Sequence, residues 1–392
     1  MKRTLMLKNQ ELLDFEVDPA TGQIRIVDAP GAEDESLSSL GFGGPDLHDA
    51  VEAVIGGRRL GANRGDKDKI LDAFNARSVY DLVFMGHGLS LADKLWYRAP
   101  GSTERWEDVN FLDNAWDSAF CESVLTGDFK RLASCSPDVP DVTTSGSLRK
   151  AWEQTANGIR LLKDSNFENR ADLEGELLAA ELCALLYGKD AYQPLSVVEC
   201  YGGRFSASPL MVERDEELIQ GLRMFSMCGI DVQEARELIG PVTPQGFIDI
   251  LSRAGVVDVS AHVAKVFAFK ALALLQDLHA GNYGIIRNVE TGECRATLPF
   301  DYDHAFGFPY QGFPFESVCS NPSLAALLCA MSFSDLESSW DWSWYDPNAL
   351  EGFEERIVEA YAPFSDLPPN FGELLARLFS MQRDYVNTVA SS

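Results

Sequence analysis

Leu275-Gln-Asp-Leu-His-Ala-Gly-Asn-Tyr-Gly-Ile-Ile286 and, one hairpin later, Pro299-Phe-Asp-Tyr-Asp-His-Ala-Phe-Gly307 hold the densest polar chemistry of the chain. An apolar run over 260–276 predicts a long helix, after which Asp277, His279 and Asn282 share a short loop. A hairpin with its turn at Asn288 to Cys294 then leads to Asp301 and Asp303. One carboxylate to receive a hydroxyl proton, and an amide oxygen with a second carboxylate to hold Mg²⁺, are the inventory of phosphoryl transfer. Asp277 and Asn282 repeat the interval of the protein-kinase loop H-R-D-x-x-x-x-N. Spacing alone is also met by polar residues that merely cap a helix and turn into a hairpin, so the upstream residues decide.

Working back from that loop, Ile159 to Lys163 predicts a strand, and leucines from 173 to 186 recur at helical spacing over about 172–187. That helix carries Glu176, beside Glu174 and Glu181. Before the strand lies the small-residue loop of Val142-Thr-Thr-Ser-Gly-Ser-Leu-Arg-Lys-Ala-Trp152. A loop to cover phosphates, a cation for them and a carboxylate to hold that cation therefore occur in kinase order. Lys163 as a solvated strand end and Glu176 as a surface carboxylate are the plain alternatives.

Further out, Thr4–Leu7, Leu12–Val17 and Ile24–Val27 predict a β-meander, with helices at 45–56 and 66–77. Gly88–Tyr97 and Trp106–Phe111 read as packed irregular structure, and Val197–Tyr201 and Pro209–Val212 as strands. From about residue 215 the pattern is mainly helical, with amphipathic helices near 350–361 and 372–388. Pro and Asp in Cys135 to Val142 mark a boundary near residue 136. The expected division is an N-terminal subdomain over 1–135, a second part with phosphate loop and hinge over 136–214, and a helical part with catalytic and metal loops over 215–392. The fold class is α+β, a bilobal protein-kinase-like fold with a β-rich N-terminal and a mainly helical C-terminal lobe.

Composition narrows the function from the other side. With 392 residues, 46% of them hydrophobic and 24% charged, the chain has apolar matter for real cores, and fibrous and disordered classes drop out. A net charge of −27 repels nucleic acid and anionic membranes, so neither is an expected partner. The basic start MKRTLMLK is interrupted before a signal-peptide core forms, and no apolar run spans a bilayer, so the expected location is the cytoplasm. The eight cysteines form no C-x-x-C pair and read as thiols of a reducing compartment. There is no P-loop motif, no nucleophile elbow and no HExxH. His262 on the apolar helix reads as a hydrogen-bonded structural residue, and the run Trp340-Asp-Trp-Ser-Trp-Tyr345 as core.

Thr144-Ser-Gly-Ser-Leu-Arg-Lys-Ala-Trp152, Leu161-Leu-Lys163, Met211-Val-Glu-Arg214, Asp277-Leu-His-Ala-Gly-Asn282 and Tyr302-Asp303 together resemble the HipA-like serine/threonine kinases. The resemblance implies ATP and Mg²⁺ as cofactors and a Ser/Thr hydroxyl of a protein as acceptor. Ser145, Gly146, Ser147, Leu148, Arg149 and Lys150 would wrap the ATP phosphates, Lys163 would contact them, and Glu176 would pair with that lysine. Val212, Glu213 and Arg214 would form the adenine hinge. Asp277 would be the base, His279 to Asn282 would line the phosphate site, and Asn282 with Asp303 would hold the metal, Asp301 competing for that place. Thr143, Thr144 and Ser145 lie where such a kinase phosphorylates itself and ejects the loop. A small antitoxin-like partner belongs to the same picture. The same fold also hosts small-molecule and lipid kinases and weakly catalytic nucleotide-binding regulatory modules. Substrate choice is expected in the first 130 residues or in the aromatic loop Phe306 to Phe315.

Overall fold

The structure, a computed structural model, describes residues 1–29, 47–61, 64–144, 149–164, 171–188, 192–230, 243–275, 278–302, 305–306, 336–365 and 367–392. Its described elements run β1 (Lys2–Leu7), β2 (Gln10–Val17), β3 (Ile24–Asp28), α1 (Leu47–Gly57), α2 (Lys67–Ala73), α3 (Val79–Met85), β4 (Leu95–Arg98), α4 (Trp106–Val109) and α5 (Ala119–Thr126). There follow β5 (Lys150–Thr155), β6 (Gly158–Asp164), α6 (Ala171–Tyr187), β7 (Ser196–Cys200), β8 (Gly203–Pro209), β9 (Glu216–Gln220) and α7 (Gly221–Met227). The chain closes with α8 (Pro244–Arg253), α9 (Val259–Leu272), β10 (Gly284–Asn288), β11 (Cys294–Ala296), α10 (Phe353–Tyr361) and α11 (Phe371–Ala390). Two compact units are interleaved along the sequence: 1–164 with 197–236 and 286–293, and 165–196 with 237–285 and 294–392.

In the first unit the meander forms as its alternation predicts, Leu5 opposite Leu13 and Phe15 opposite Ile26. Lys8 turns the first hairpin at a φ of 47°. β4 joins the free side of β1, giving the order β3-β2-β1-β4. The expectation of irregular structure at Gly88–Tyr97 is corrected there. Leu95, Trp96 and Tyr97 are all buried, so the strand lacks the alternation by which a half-exposed strand is recognised. Tyr97 packs against Phe15 and Phe84, at 5.3 Å between ring centres in each case. Trp96 belongs to a separate cluster with Met6, Leu89, Leu91, Trp106 and Phe111.

The second sheet of this unit has the order β5-β6-β8-β7. Ala151, Leu162, Phe205 and Ala207 on one face pack with Phe120, Val124 and Leu125 of α5 and with Leu132. The strand expected at Pro209–Val212 ends at Pro209, where the ladder with β6 runs out. Instead a strand forms at 216–220, read from sequence as the start of the helical region. Its Glu217 is completely buried, tolerated because Arg223 and Arg287 both donate to its carboxylate.

The second unit is built on α9, which is buried over most of its length. Val263, Ala264 and all residues from Val266 to Leu272 are buried. α6 is likewise covered on most sides. α10 packs on α11, with Phe353 and Phe379 at 5.0 Å. His262 Nε2 donates to the Thr297 carbonyl at 2.9 Å, and burial pushes its pKa down to about 4. Trp340 and Trp342 are buried and stacked, as expected of core aromatics. The six described cysteines are free thiols, and no described helix is long and apolar enough to cross a membrane.

Candidate active site

Thr143 ends the 3-10 turn Pro140–Thr143. It is buried, its hydroxyl 2.9 Å from the Leu89 carbonyl and 3.0 Å from that of Pro140. Thr144 is half-buried, and its Oγ1 donates to Pro140 O at 3.0 Å while accepting from Trp152 Nε1 at 3.1 Å. Beneath both lies Asp141, whose Oδ1 accepts from Trp152 N at 2.8 Å. Full burial pushes this carboxyl up to about 7, against smaller opposing effects of the Trp152 N–H and the Arg64 guanidinium. Ser145, Gly146, Ser147 and Leu148 lie outside the described residues.

Where the chain resumes, Arg149 O accepts from Asp164 N at 2.8 Å and Lys150 O from Arg64 Nη2 at 3.0 Å. Arg64 is itself fixed by Asp66, with Nε to Oδ1 at 2.6 Å. The hairpin register then sets Lys150 directly opposite Lys163, and Lys163 opposite Ser206 of β8. Opposed residues of antiparallel strands share a face, so the two lysines stand side by side, with the Lys163 side chain buried. Of the hinge residues, Val212 is buried and Glu213 and Arg214 are exposed. Glu213 N donates to Glu216 Oε2 at 3.0 Å, and Arg214 makes a forked pair with Asp113 at 2.9 and 2.5 Å. That pair pushes the Asp113 carboxyl down and the Arg214 guanidinium up from their ordinary values.

In the second unit α9 stops at Leu272, and Leu274 takes a φ of 51° that swings the chain out of the helix. Asp277 lies outside the described residues. On its far side Asn282 N donates to His279 O at 2.8 Å, and Gly281 N to His279 Nδ1 at 2.9 Å. This tight turn leaves Asn282 buried and His279 half-buried. Tyr283, packed edge-on against Phe247 at 4.5 Å, anchors the loop at the foot of β10. Gly284 and Thr297 clasp the hairpin base through bonds of 2.7, 2.9 and 3.1 Å.

The segment after the hairpin returns to the same place. Phe306 N donates to Ala273 O at 3.1 Å, tying it to the end of α9. Tyr302, buried, reaches Gln193 O at 3.3 Å, and Asp301 is half-buried. Asp303 lies outside the described residues. Ala305 O sits so close to α6 that a Cβ on Gly175 would be 2.1 Å from it. Glu176, the neighbour of that glycine, is buried rather than on the helix surface. The end of α9, Ala305 with Phe306, and the helix holding Glu176 are thus drawn together within this unit. Asp141, the Arg64–Asp66 pair and Gly175 were not singled out from sequence. A lone carboxylate or glycine has no periodicity to announce it.

No family model matches the chain, and no curated protein matches it in sequence. Solved structures do resemble it. The proinflammatory kinase CtkA of Helicobacter pylori superposes with a TM-score of 0.44 at 15% identity, over 62% of this chain and 89% of CtkA. HipA of Shewanella oneidensis MR-1, from a toxin–antitoxin complex with HipB and its operator DNA, superposes with a TM-score of 0.52 at 11% identity, over 100% of this chain and 99% of its own. With two four-stranded sheets in its first unit and helices predominating in its second, the chain has the α+β fold of HipA.

Proposed function

We propose that this chain is a phosphotransferase dependent on ATP and Mg²⁺ that phosphorylates Ser or Thr hydroxyls of a protein. The observation that carries the reading is the register that opposes Lys150 and Lys163 at the end of the Ser/Gly loop. Two ammonium groups on adjacent positions of one face repel, and the triphosphate of a nucleotide relieves that repulsion. In this reading Ser145, Gly146, Ser147, Leu148 and Arg149 cover the phosphates with Lys150, Glu176 holds Lys163, and the backbone of Val212, Glu213 and Arg214 reads the adenine. His279 and Asn282 line the phosphate site, and Asp277 takes the acceptor proton.

The oxygens of Asn282 and of Asp303 or Asp301 are hard donors that suit Mg²⁺, which when bound neutralises charge on the transferring phosphoryl group. Autophosphorylation at Thr143, Thr144 or Ser145 would release the loop. At Thr143 it requires the Pro140–Thr143 turn to open first, because the hydroxyl is held inside it. Residues 1–135 would then recruit or regulate, 136–214 bind phosphates and adenine, and 215–392 supply catalytic and metal groups. The setting is cytoplasmic, with a small antitoxin-like partner.

Radiolabelled γ-phosphate ATP with Mg²⁺, given to the purified protein and to Asp277→Ala, tests this. Label in residues 143–147 that falls by at least about 10²-fold in the variant, with ATP still bound, is the expected outcome. Full labelling of Asp277→Ala would remove the base assignment. Tight ATP binding without label in either protein would move the reading to a small-molecule or lipid acceptor, or to a nucleotide-binding regulatory module.

A further inference from the structure

We propose that the first unit holds a small-oxyanion site, distinct from the nucleotide loop, formed by Arg58, Lys94, Arg223 and Arg287. These four cations surround the carboxylates of Asp93 and Glu217. Arg58 Nη2 donates to Asp93 Oδ1, and Arg223 Nη1 lies 3.8 Å from Asp93 Oδ2. Arg223 Nη2 reaches Glu217 Oε2 at 2.8 Å, and Arg287 Nη2 takes Glu217 Oε1. Lys94, 1% exposed, lies within the electrostatic reach of both carboxylates.

Several buried donors of the cluster are left without an acceptor. Asp93 Oδ1 also accepts from Leu95 N at 2.8 Å, and both oxygens of Glu217 are taken. Lys94 Nζ, Arg58 Nε, Arg223 Nε and Nη1, and Arg287 Nε are buried without a hydrogen-bond partner. Lys8 and Asp215, which also act on Lys94, face each other at 3.4 Å on the exposed side, where Glu290 takes Lys8 as well, so that outer group carries one net negative charge and the cluster with it keeps one net positive charge. Four cations against two carboxylates leave two positive charges and a set of unfilled N–H groups in the interior. Buried charge without a partner is costly, and a phosphate, sulfate or carboxylate group supplies both the missing charge and the missing acceptors. Burial works against the Lys94 ammonium, and an oxyanion beside it would keep it charged. Asp93 and Arg223, with side chains 13% and 10% exposed, are the members of the cluster nearest solvent.

Inorganic phosphate is the probe. Thermal unfolding of the full chain is followed against phosphate, sulfate and acetate, each replacing chloride at matched ionic strength, for the wild type, Lys94→Met and Lys163→Met. Wild type and Lys163→Met are expected to gain Tm with the logarithm of phosphate above a dissociation constant, and Lys94→Met to gain nothing. A response to acetate alone would assign the site to carboxylate-bearing ligands, and a response to phosphate and sulfate to tetrahedral ones. No saturable gain in the wild type, or an equal gain in Lys94→Met, overturns the site. A gain lost in Lys163→Met and kept in Lys94→Met also overturns it, and places the phosphate at the nucleotide loop. Should Lys94→Met not fold, anomalous diffraction from selenate soaked into wild-type crystals decides. A peak about 3 Å from Lys94 Nζ supports the site, and an empty map there rejects it.

Discussion

Asp141 is a carboxylate whose environment strongly alters its chemistry. The ordinary aspartate value of 3.8 rises to about 7 because desolvation outweighs the single backbone donor at Oδ1, and Oδ2 has no partner. The folded chain therefore binds this proton more tightly than the unfolded chain does. Its contribution to stability falls as pH rises from about 4 to about 7 and is constant above that. Asp141→Asn keeps an oxygen for Trp152 N and cannot ionise. Its advantage over wild type in unfolding free energy is expected to grow across that window and level off above pH 8, at on the order of a few kcal/mol at most. A difference independent of pH would show that Asp141 does not titrate there. Asp277, Asn282 and Lys163 were singled out from the sequence because phosphate chemistry demands particular residue types at particular spacings. Asp141 was not, because its character comes from what buries it.

Helix α6 shows what an element adds. Its leucine spacing predicted the helix within a residue at each end, and its sequence placed Glu176 among three exposed-looking carboxylates. Packing separates them: Glu176 is buried, while Glu181 pairs with Arg356 at 3.0 Å. The cause is the close approach of Ala305 O to Gly175, which a side chain would block. Gly175→Ala must displace the 301–306 segment or the helix. It is expected to cost about 1–3 kcal/mol in denaturant unfolding and to weaken Mg²⁺-dependent ATP binding. Unchanged stability together with unchanged binding would mean that this segment yields freely. β9 carries the opposite lesson. A strand that buries Glu217 between two arginines defeats the apolar-in, polar-out pattern by which strands are recognised, and one of those arginines, Arg287, is distant in sequence.

Over the whole molecule the net charge of −27 sets a field that opposes compaction. Raising NaCl from about 0.02 M to about 0.3 M shortens the screening length from roughly 20 Å to under 10 Å and is expected to raise Tm by a few degrees. A fall in Tm would mean that screened attractive pairs outweigh the general repulsion. At this scale the sequence by itself determined the α+β class, the meander, the long helices and the order of the motifs proposed to handle phosphate. Periodicity and motif spacing are local properties, readable wherever one face is buried and the other wet. Only the tertiary structure decided that β4 is a strand, that Lys150 stands opposite Lys163, that Gly175 admits the 301–306 segment and that Arg58, Lys94, Arg223 and Arg287 share one interior. Each depends on residues far apart along the chain, brought together by burial that no single segment encodes.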